Sequence, residues 1–237
     1  MISINELENK VTEIYSILKA GYGAAGRFSD EKQKGELIRS HRLKAEDQDI
    51  PDFYFVLTLS WGPWREGRQL KVWLKVYVIF KEKYHGDLRL VGEDLGFPFA
   101  WQNQKVCLMG KFLRDKGMSF TDFLNSLQGK NGLEIKGEFE RILGAGNNKT
   151  LSCFIRDYLQ LNVFPIDRRI ARMLGYLGLP KDEHKVVELC ESTGVNPKEL
   201  DRMLFTYYGE KCSRSQCLQC ELVKLCNKGG ESKQNQK

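Results

Sequence analysis

The sequence is short of histidine. It has three in 237 residues, His41, His85 and His184, all in polar surroundings. That argues against histidine-based catalysis and against a histidine-rich metal site. Long apolar runs are also missing. No stretch approaches the ~18–20 apolar residues needed to cross a bilayer. The first residues are polar and amphipathic, without the apolar core of a signal peptide. No internal repeat is visible. The expectation is a soluble, intracellular monomer with no membrane partner.

What is present is ordinary for a globular chain: 41% hydrophobic and 29% charged residues. The length suffices for a sizeable core in one or two domains. The net charge is +6 and the pI about 8.8, which suits an anionic partner without demanding one. Of seven cysteines, Cys107, Cys153 and Cys190 stand alone in apolar-patterned segments and read as small core residues. The other four, Cys212, Cys217, Cys220 and Cys226, form a C-x4-C-x2-C-x5-C run. This clustering points to a reducing compartment rather than a disulfide framework.

Four thiolates within fifteen residues can converge on one inorganic centre. Structural zinc usually takes two knuckles a dozen or more residues apart, and no such gap exists here. The compact run favours a [4Fe-4S] cluster. Zinc remains the alternative, with disulfides or free thiols behind it.

Along the chain, Ser3 and Glu6 read as a capping box. Leu7, Val11, Ile14 and Leu18 then recur at helical spacing, and Gly21 is a natural stop. Residues 21–52 are rich in charge and glycine, with one short helix expected over 36–44. An apolar run covers 53–61 and ends in Trp61-Gly62-Pro63-Trp64-Arg65. The stretch 69–80 is ambiguous. It alternates as a strand would, yet Leu70, Trp73, Leu74, Tyr77 and Val78 also form a helical face. Residues 104–116 and 119–127 look helical.

The spacing predicts a helix over 132–143, broken by Gly144-Ala145-Gly146-Asn147-Asn148. Leu151, Phe154, Ile155, Tyr158 and Leu159 continue as a second helix, which makes a tight helical hairpin. Asp167 opens a helix through Leu177, Asp182 caps one reaching Cys190, and Asn196-Pro197 starts one reaching Tyr208. The polar end after Asn227 reads as disordered.

Three features therefore stand in order: a Gly-x-Gly hairpin, an aspartate opening a helix eighteen residues after Lys149, and a four-cysteine loop. This order resembles the helix-hairpin-helix DNA glycosylase superfamily, in its endonuclease III-like iron–sulfur branch. The resemblance is carried by residues 130–226. It is loose over 50–130 and absent before that.

Ile142-Leu143-Gly144-Ala145-Gly146 looks like the family's Leu-Pro-Gly-Val-Gly. Glycine there lets backbone N–H groups approach a phosphate, which makes Gly144, Gly146, Asn147 and Asn148 candidate DNA contacts. The competing reading is a plain glycine-terminated turn. Strand-cleaving members carry a lysine two residues after the second glycine. Anchored on the glycines, that position is Asn148, and the chain would excise without cleaving the strand. Anchored on the apolar positions of the following helix, it is Lys149, and Lys149 is then the expected nucleophile. The second register is preferred, because core periodicity is harder to slip than a hairpin loop is to lengthen.

Asp167 matches the essential aspartate of the family's Val-Asp-x-His segment, with Arg169 where histidine is common. An N-cap role and a catalytic role are compatible for it, since a helix N-terminus keeps a carboxylate ionised. Trp61 or Trp64 could fill the gap left by a flipped base, or simply pack. That loop lacks the glutamine seen in endonuclease III. Arg214, in the cysteine loop, is a candidate phosphate contact. The loop is shorter than the family's, with four residues between the first two cysteines where six are usual.

The resemblance implies an all-α, two-domain fold. A helical bundle over 53–163 contains the hairpin, and 1–52 with 164–237 forms an iron–sulfur domain. It implies a base-excision glycosylase with AP-lyase activity, located in the cytoplasm with the DNA (the nucleoid if the cell is prokaryotic). The partner would be duplex DNA holding a damaged or mismatched base. The alternatives are a monofunctional glycosylase and a non-catalytic DNA-binding iron–sulfur protein. The lesion is not legible.

Overall fold

The computed structural model describes residues 3–26, 47, 50–59, 68–144, 146, 148–214 and 216–227. Among them no strand occurs, and the chain is all-α. Ten α-helices are described: α1 (Ile4–Gly26), α2 (Pro51–Leu59), α3 (Arg68–Tyr84), α4 (Ala100–Lys116), α5 (Phe120–Ser126), α6 (Gly132–Leu143), α7 (Asn148–Asp157), α8 (Arg168–Tyr176), α9 (Glu183–Ser192) and α10 (Pro197–Glu210). The short helix expected over 36–44, the Trp61–Arg65 loop, Ala145, Asn147 and the end after Asn227 lie outside the described residues.

The chain divides into two compact units. One joins Met1–Ser29 to Asn162–Lys237, and the other spans Asp30–Leu161. Of the described residues before α2, Asp47 and Ile50 fall within the second unit. Asp47 gives a physical reason. Its buried carboxylate accepts hydrogen bonds from the Tyr77 hydroxyl and from Lys81 Nζ at 2.7 Å, both on α3.

In the first unit α1 packs along α10. Ser3 and Glu6 close the capping box, with Ser3 N–H donating to Glu6 Oε2 at 2.7 Å and Glu6 N–H to Ser3 Oγ at 3.3 Å. Val11, Ile14 and Leu18 are buried. Gly21 does not stop the helix, which runs on to Gly26. Interior glycine costs roughly 1 kcal/mol relative to alanine. Packing just beyond it opposes that cost, because the Tyr22 ring meets Tyr207 edge-on at 5.2 Å. Helices α8, α9 and α10 each begin at an Asp or Asn cap, at Asp167, Asp182 and Asn196.

In the second unit α2 is the centre, with Asp52 to Leu59 all buried. A short helix that is apolar all round belongs inside. Its Phe55 meets Phe120 of α5, Phe139 of α6 and Phe154 of α7 at ring distances of 5.2, 5.9 and 5.5 Å. The hairpin helices α6 and α7 are therefore seated on α2. The ambiguous stretch 69–80 is helix. Its buried face is Trp73, Val76, Tyr77 and Phe80, while Val78 is 43% exposed, so the face is rotated from the one expected. Helix α4 lies against the 3-10 turn Leu88–Leu90. A Cβ on Gly110 would sit 2.4 Å from the Leu88 carbonyl oxygen, so this crossing requires glycine.

Candidate functional site

The hairpin is built from α6, α7 and the residues between them. Asn131 caps α6, accepting from Glu134 N–H at 2.9 Å. Gly144 ends the helix at φ 75°, and Gly146 follows at φ 110°. These positive φ values demand glycine. A Cβ on either residue would meet nothing within 4 Å. Glycine is thus required by the backbone path and not by a neighbour, and both residues are exposed.

Beneath the turn lies Lys105 of α4, 6% exposed, whose Nζ donates to the Gly146 carbonyl oxygen at 2.7 Å. Burial lowers its pKa, and the charge of Glu140 partly opposes that. Nothing in the local pattern of 100–116 singled this lysine out, and its partner is 41 residues away.

Helix α7 is buried on every side from Thr150 to Asp157. Leu151, Phe154 and Ile155 are buried, and Lys149 is exposed on the first turn. Asn148 opens the helix. At its C-terminal end two neighbouring residues form a buried ion pair, in which Arg156 Nε and an Nη donate to the two oxygens of Asp157 at 2.6 and 2.7 Å. Breaking one side of such a pair strands a buried charge.

In the first unit, Asp167 Oδ1 accepts from Arg169 N–H at 2.8 Å and from Ile170 N–H at 2.9 Å, so the residue is the N-cap of α8. Its side chain is half-buried. Arg168, Arg169 and Arg172 are exposed. The Arg169 guanidinium lies 5.6 Å from the ring centre of Phe205 on α10. Arg172 bonds the Tyr208 hydroxyl, which holds its pKa above the ordinary range. Two i,i+3 pairs on neighbouring helices thus make a basic face with aromatic partners. Sequence reading missed Phe205 and Tyr208. The i,i+3 spacing of Arg169–Arg172 and Phe205–Tyr208 was the available signal.

The cysteine run follows α10 in two 3-10 turns, Cys212–Arg214 and Cys217–Gln219. All four thiols are half-buried and outside any disulfide. Cys212 Sγ lies 3.5 Å from Met173 Sδ of α8. Cys220 Sγ lies 3.0 Å from the Tyr207 hydroxyl. That hydroxyl is also 2.8 Å from Glu221 Oε2 and receives Leu222 N–H at 3.4 Å. Burial, then the bonds to Cys220 and Glu221, push the phenol's pKa far up, so it keeps its proton. Glu221 is held below its usual range, first by its own backbone N–H and further by Tyr207 and Lys211. Arg214 and Lys224 are exposed on the loop.

Among the described residues, no three His, Cys, Asp or Glu side chains converge as a metal-binding group. The donor chemistry of the run nonetheless fits a soft-metal centre. It offers four thiols, one of them 3.0 Å from a tyrosine hydroxyl, and no disulfide competes for them.

Of the expected site residues, Gly144, Gly146, Asn148 and Lys149 lie in the second unit. Asp167, Arg214 and the four cysteines lie in the first. Trp61 and Asn147 lie outside the described residues. No helix is long and apolar enough to cross a membrane among the described residues. Comparison of the chain with protein-family models, curated proteins and solved structures finds no match.

Proposed function

We propose that the chain is a base-excision DNA glycosylase with associated AP-lyase activity, acting on duplex DNA that holds a damaged or mismatched base. The observation that carries this reading is the hairpin. Two exposed glycines at positive φ, with open space where side chains would stand, join two helices seated on a common core. Such a turn admits a phosphate to its backbone N–H groups. The mild positive charge and the arginine face of α8 support the same partner.

The chemistry assigned is nucleophilic. The damaged nucleotide is flipped out of the stack. The neutral amine of Lys149 attacks C1′, and the bond from C1′ to the base breaks with its electron pair on the base, which takes up a proton. The amine loses a proton, the sugar ring opens, and a Schiff base results. Loss of a C2′ proton then expels the 3′ phosphate. The Asp167 carboxylate, fixed by two backbone N–H groups, stabilises the positive charge that develops on the sugar. The four cysteines would hold a [4Fe-4S] cluster whose task is to shape the basic loop. Zinc in the same thiolates is the other occupant the donor set suits.

One observation favours a second reading. Asn148, and not Lys149, opens α7. If asparagine occupies the lysine's place, the enzyme is a monofunctional glycosylase and leaves an intact abasic site.

Borohydride trapping on a panel of lesion duplexes tests both, with wild type beside Lys149→Ala. A covalent adduct lost in the variant supports the lyase. Alkali-labile sites without an adduct favour the monofunctional reading. Duplex binding with neither outcome on any lesion would leave a non-catalytic DNA-binding protein.

A further inference from the structure

We propose that Tyr207 tunes the four-cysteine centre: its hydroxyl donates a hydrogen bond to Cys220 Sγ and so raises the reduction potential of the cluster held there. The inference rests on the cluster reading of the cysteine run and is independent of base excision.

Tyr207 is fully buried on α10, and its ring is braced edge-on by Tyr22 of α1 at 5.2 Å. Its oxygen is the meeting point of three groups. Leu222 N–H donates to it at 3.4 Å. Cys220 Sγ at 3.0 Å and Glu221 Oε2 at 2.8 Å are the two places its single proton can go. The backbone N–H occupies one lone pair and so orients the O–H toward the sulfur and the carboxylate. Cys212, by contrast, meets the thioether of Met173, which cannot donate a hydrogen bond.

A ligating cysteine is a thiolate, and a cluster becomes more negative when reduced. A donor aimed at the sulfur therefore stabilises the reduced state more than the oxidised one. Glu221 works against this. Its carboxylate competes for the same proton, while Lys211 Nζ lies 3.9 Å from the other carboxylate oxygen, Oε1. The potential thus depends on how one proton is shared between a sulfur and a carboxylate adjacent in sequence.

The test is a potentiometric titration of the full chain, purified anaerobically, with iron and sulfide counted per chain. Tyr207→Phe deletes one atom and keeps the ring. It should retain wild-type iron and titrate at a more negative potential. Iron-replete Tyr207→Phe at the wild-type potential overturns the proposal. If Tyr207→Phe loses its iron, Glu221→Gln decides, beside Glu210→Gln, which removes the same charge near Tyr22 without touching the Tyr207 hydroxyl. Glu221→Gln should shift the potential positive by more than Glu210→Gln does, and equal shifts overturn the proposal. A wild-type chain that binds zinc or nothing, and no iron and sulfide, removes both the cluster reading and this inference, while the trapping experiment above stands.

Discussion

Lys105 Nζ donates to the carbonyl oxygen of Gly146 at 2.7 Å, from a side chain that is 6% exposed. A buried ammonium thus braces the exposed turn from below. It cannot serve as the nucleophile, because it has almost no surface for a sugar carbon to reach. Its role on the proposed reading is to hold the turn so that the backbone N–H groups face outward. Lys105→Met keeps the bulk of the side chain and deletes the donor. The freed carbonyl belongs to an exposed glycine and can take water, and the cost of burying a charge disappears, so the melting temperature should barely move. Affinity for duplex DNA should fall about 5- to 10-fold, roughly 1–1.4 kcal/mol. Fluorescence anisotropy with undamaged duplex reads this directly. Unchanged affinity would mean that the turn does not meet DNA.

Asp167 has two roles to separate, capping α8 and stabilising a sugar cation. Asparagine caps a helix about as well as aspartate, while alanine loses about 1 kcal/mol. Asp167→Asn should therefore melt within a few tenths of a kcal/mol of wild type and lose roughly 10²–10³-fold in excision rate. Asp167→Ala should lose both stability and activity. Full excision by Asp167→Asn, on every lesion the wild type cuts, would leave the residue a cap and nothing more.

Much of the helix grammar was legible because it is local. Ser3, Asp167, Asp182 and Asn196 sit two or three residues from the backbone N–H groups they satisfy. The stretch 69–80 was not legible, because its apolar residues fit both periods and only burial of Trp73, Val76, Tyr77 and Phe80 decides between them. Gly21 misled because Tyr22 finds its partner on a helix some 180 residues later in the chain. Shorter but still long-range separations hid Lys105 from Gly146, Asp47 from Lys81, and Arg169 from Phe205. Each pairing is made by topology and leaves no periodic trace.

Asp52 makes a pH prediction that needs no functional reading. It lies in the first turn of α2, is 8% exposed, and accepts from Leu88 N–H at 3.0 Å. Burial pushes its pKa from 3.8 to about 6, and the Leu88 bond only partly offsets this. The folded state therefore holds its proton more tightly than the unfolded chain does. Its stabilising contribution is fully present below the unfolded pKa and is lost as pH rises through about 6. Linkage at ~1.4 kcal/mol per pH unit caps the loss near 3 kcal/mol. Asp52→Asn can still accept from Leu88 N–H but carries no charge. Urea melts at pH 4.5 and 7.5 should show the variant gaining on wild type at the higher pH. Parallel pH profiles would show that the carboxyl is solvated in the native state.

Arg169 and Phe205 divide charge from positioning. The guanidinium supplies a charge for a phosphate, and the ring, 41% exposed, holds it in place. Arg169→Gln should weaken duplex binding uniformly across sequences and lower the slope of log K against log salt by about 1. Phe205→Ala leaves the charge but frees it. Its affinity should drop about 2- to 5-fold, in line with a cation–π contact of ~0.5–1 kcal/mol, while the salt slope stays at the wild-type value. The stability cost should be modest, because the residue is already 41% exposed. If Phe205→Ala lowers the slope as Arg169→Gln does, the ring is part of the contact and not its support. If neither changes binding, the arginine face of α8 does not meet DNA, and the phosphate contacts must come from the hairpin and the cysteine loop.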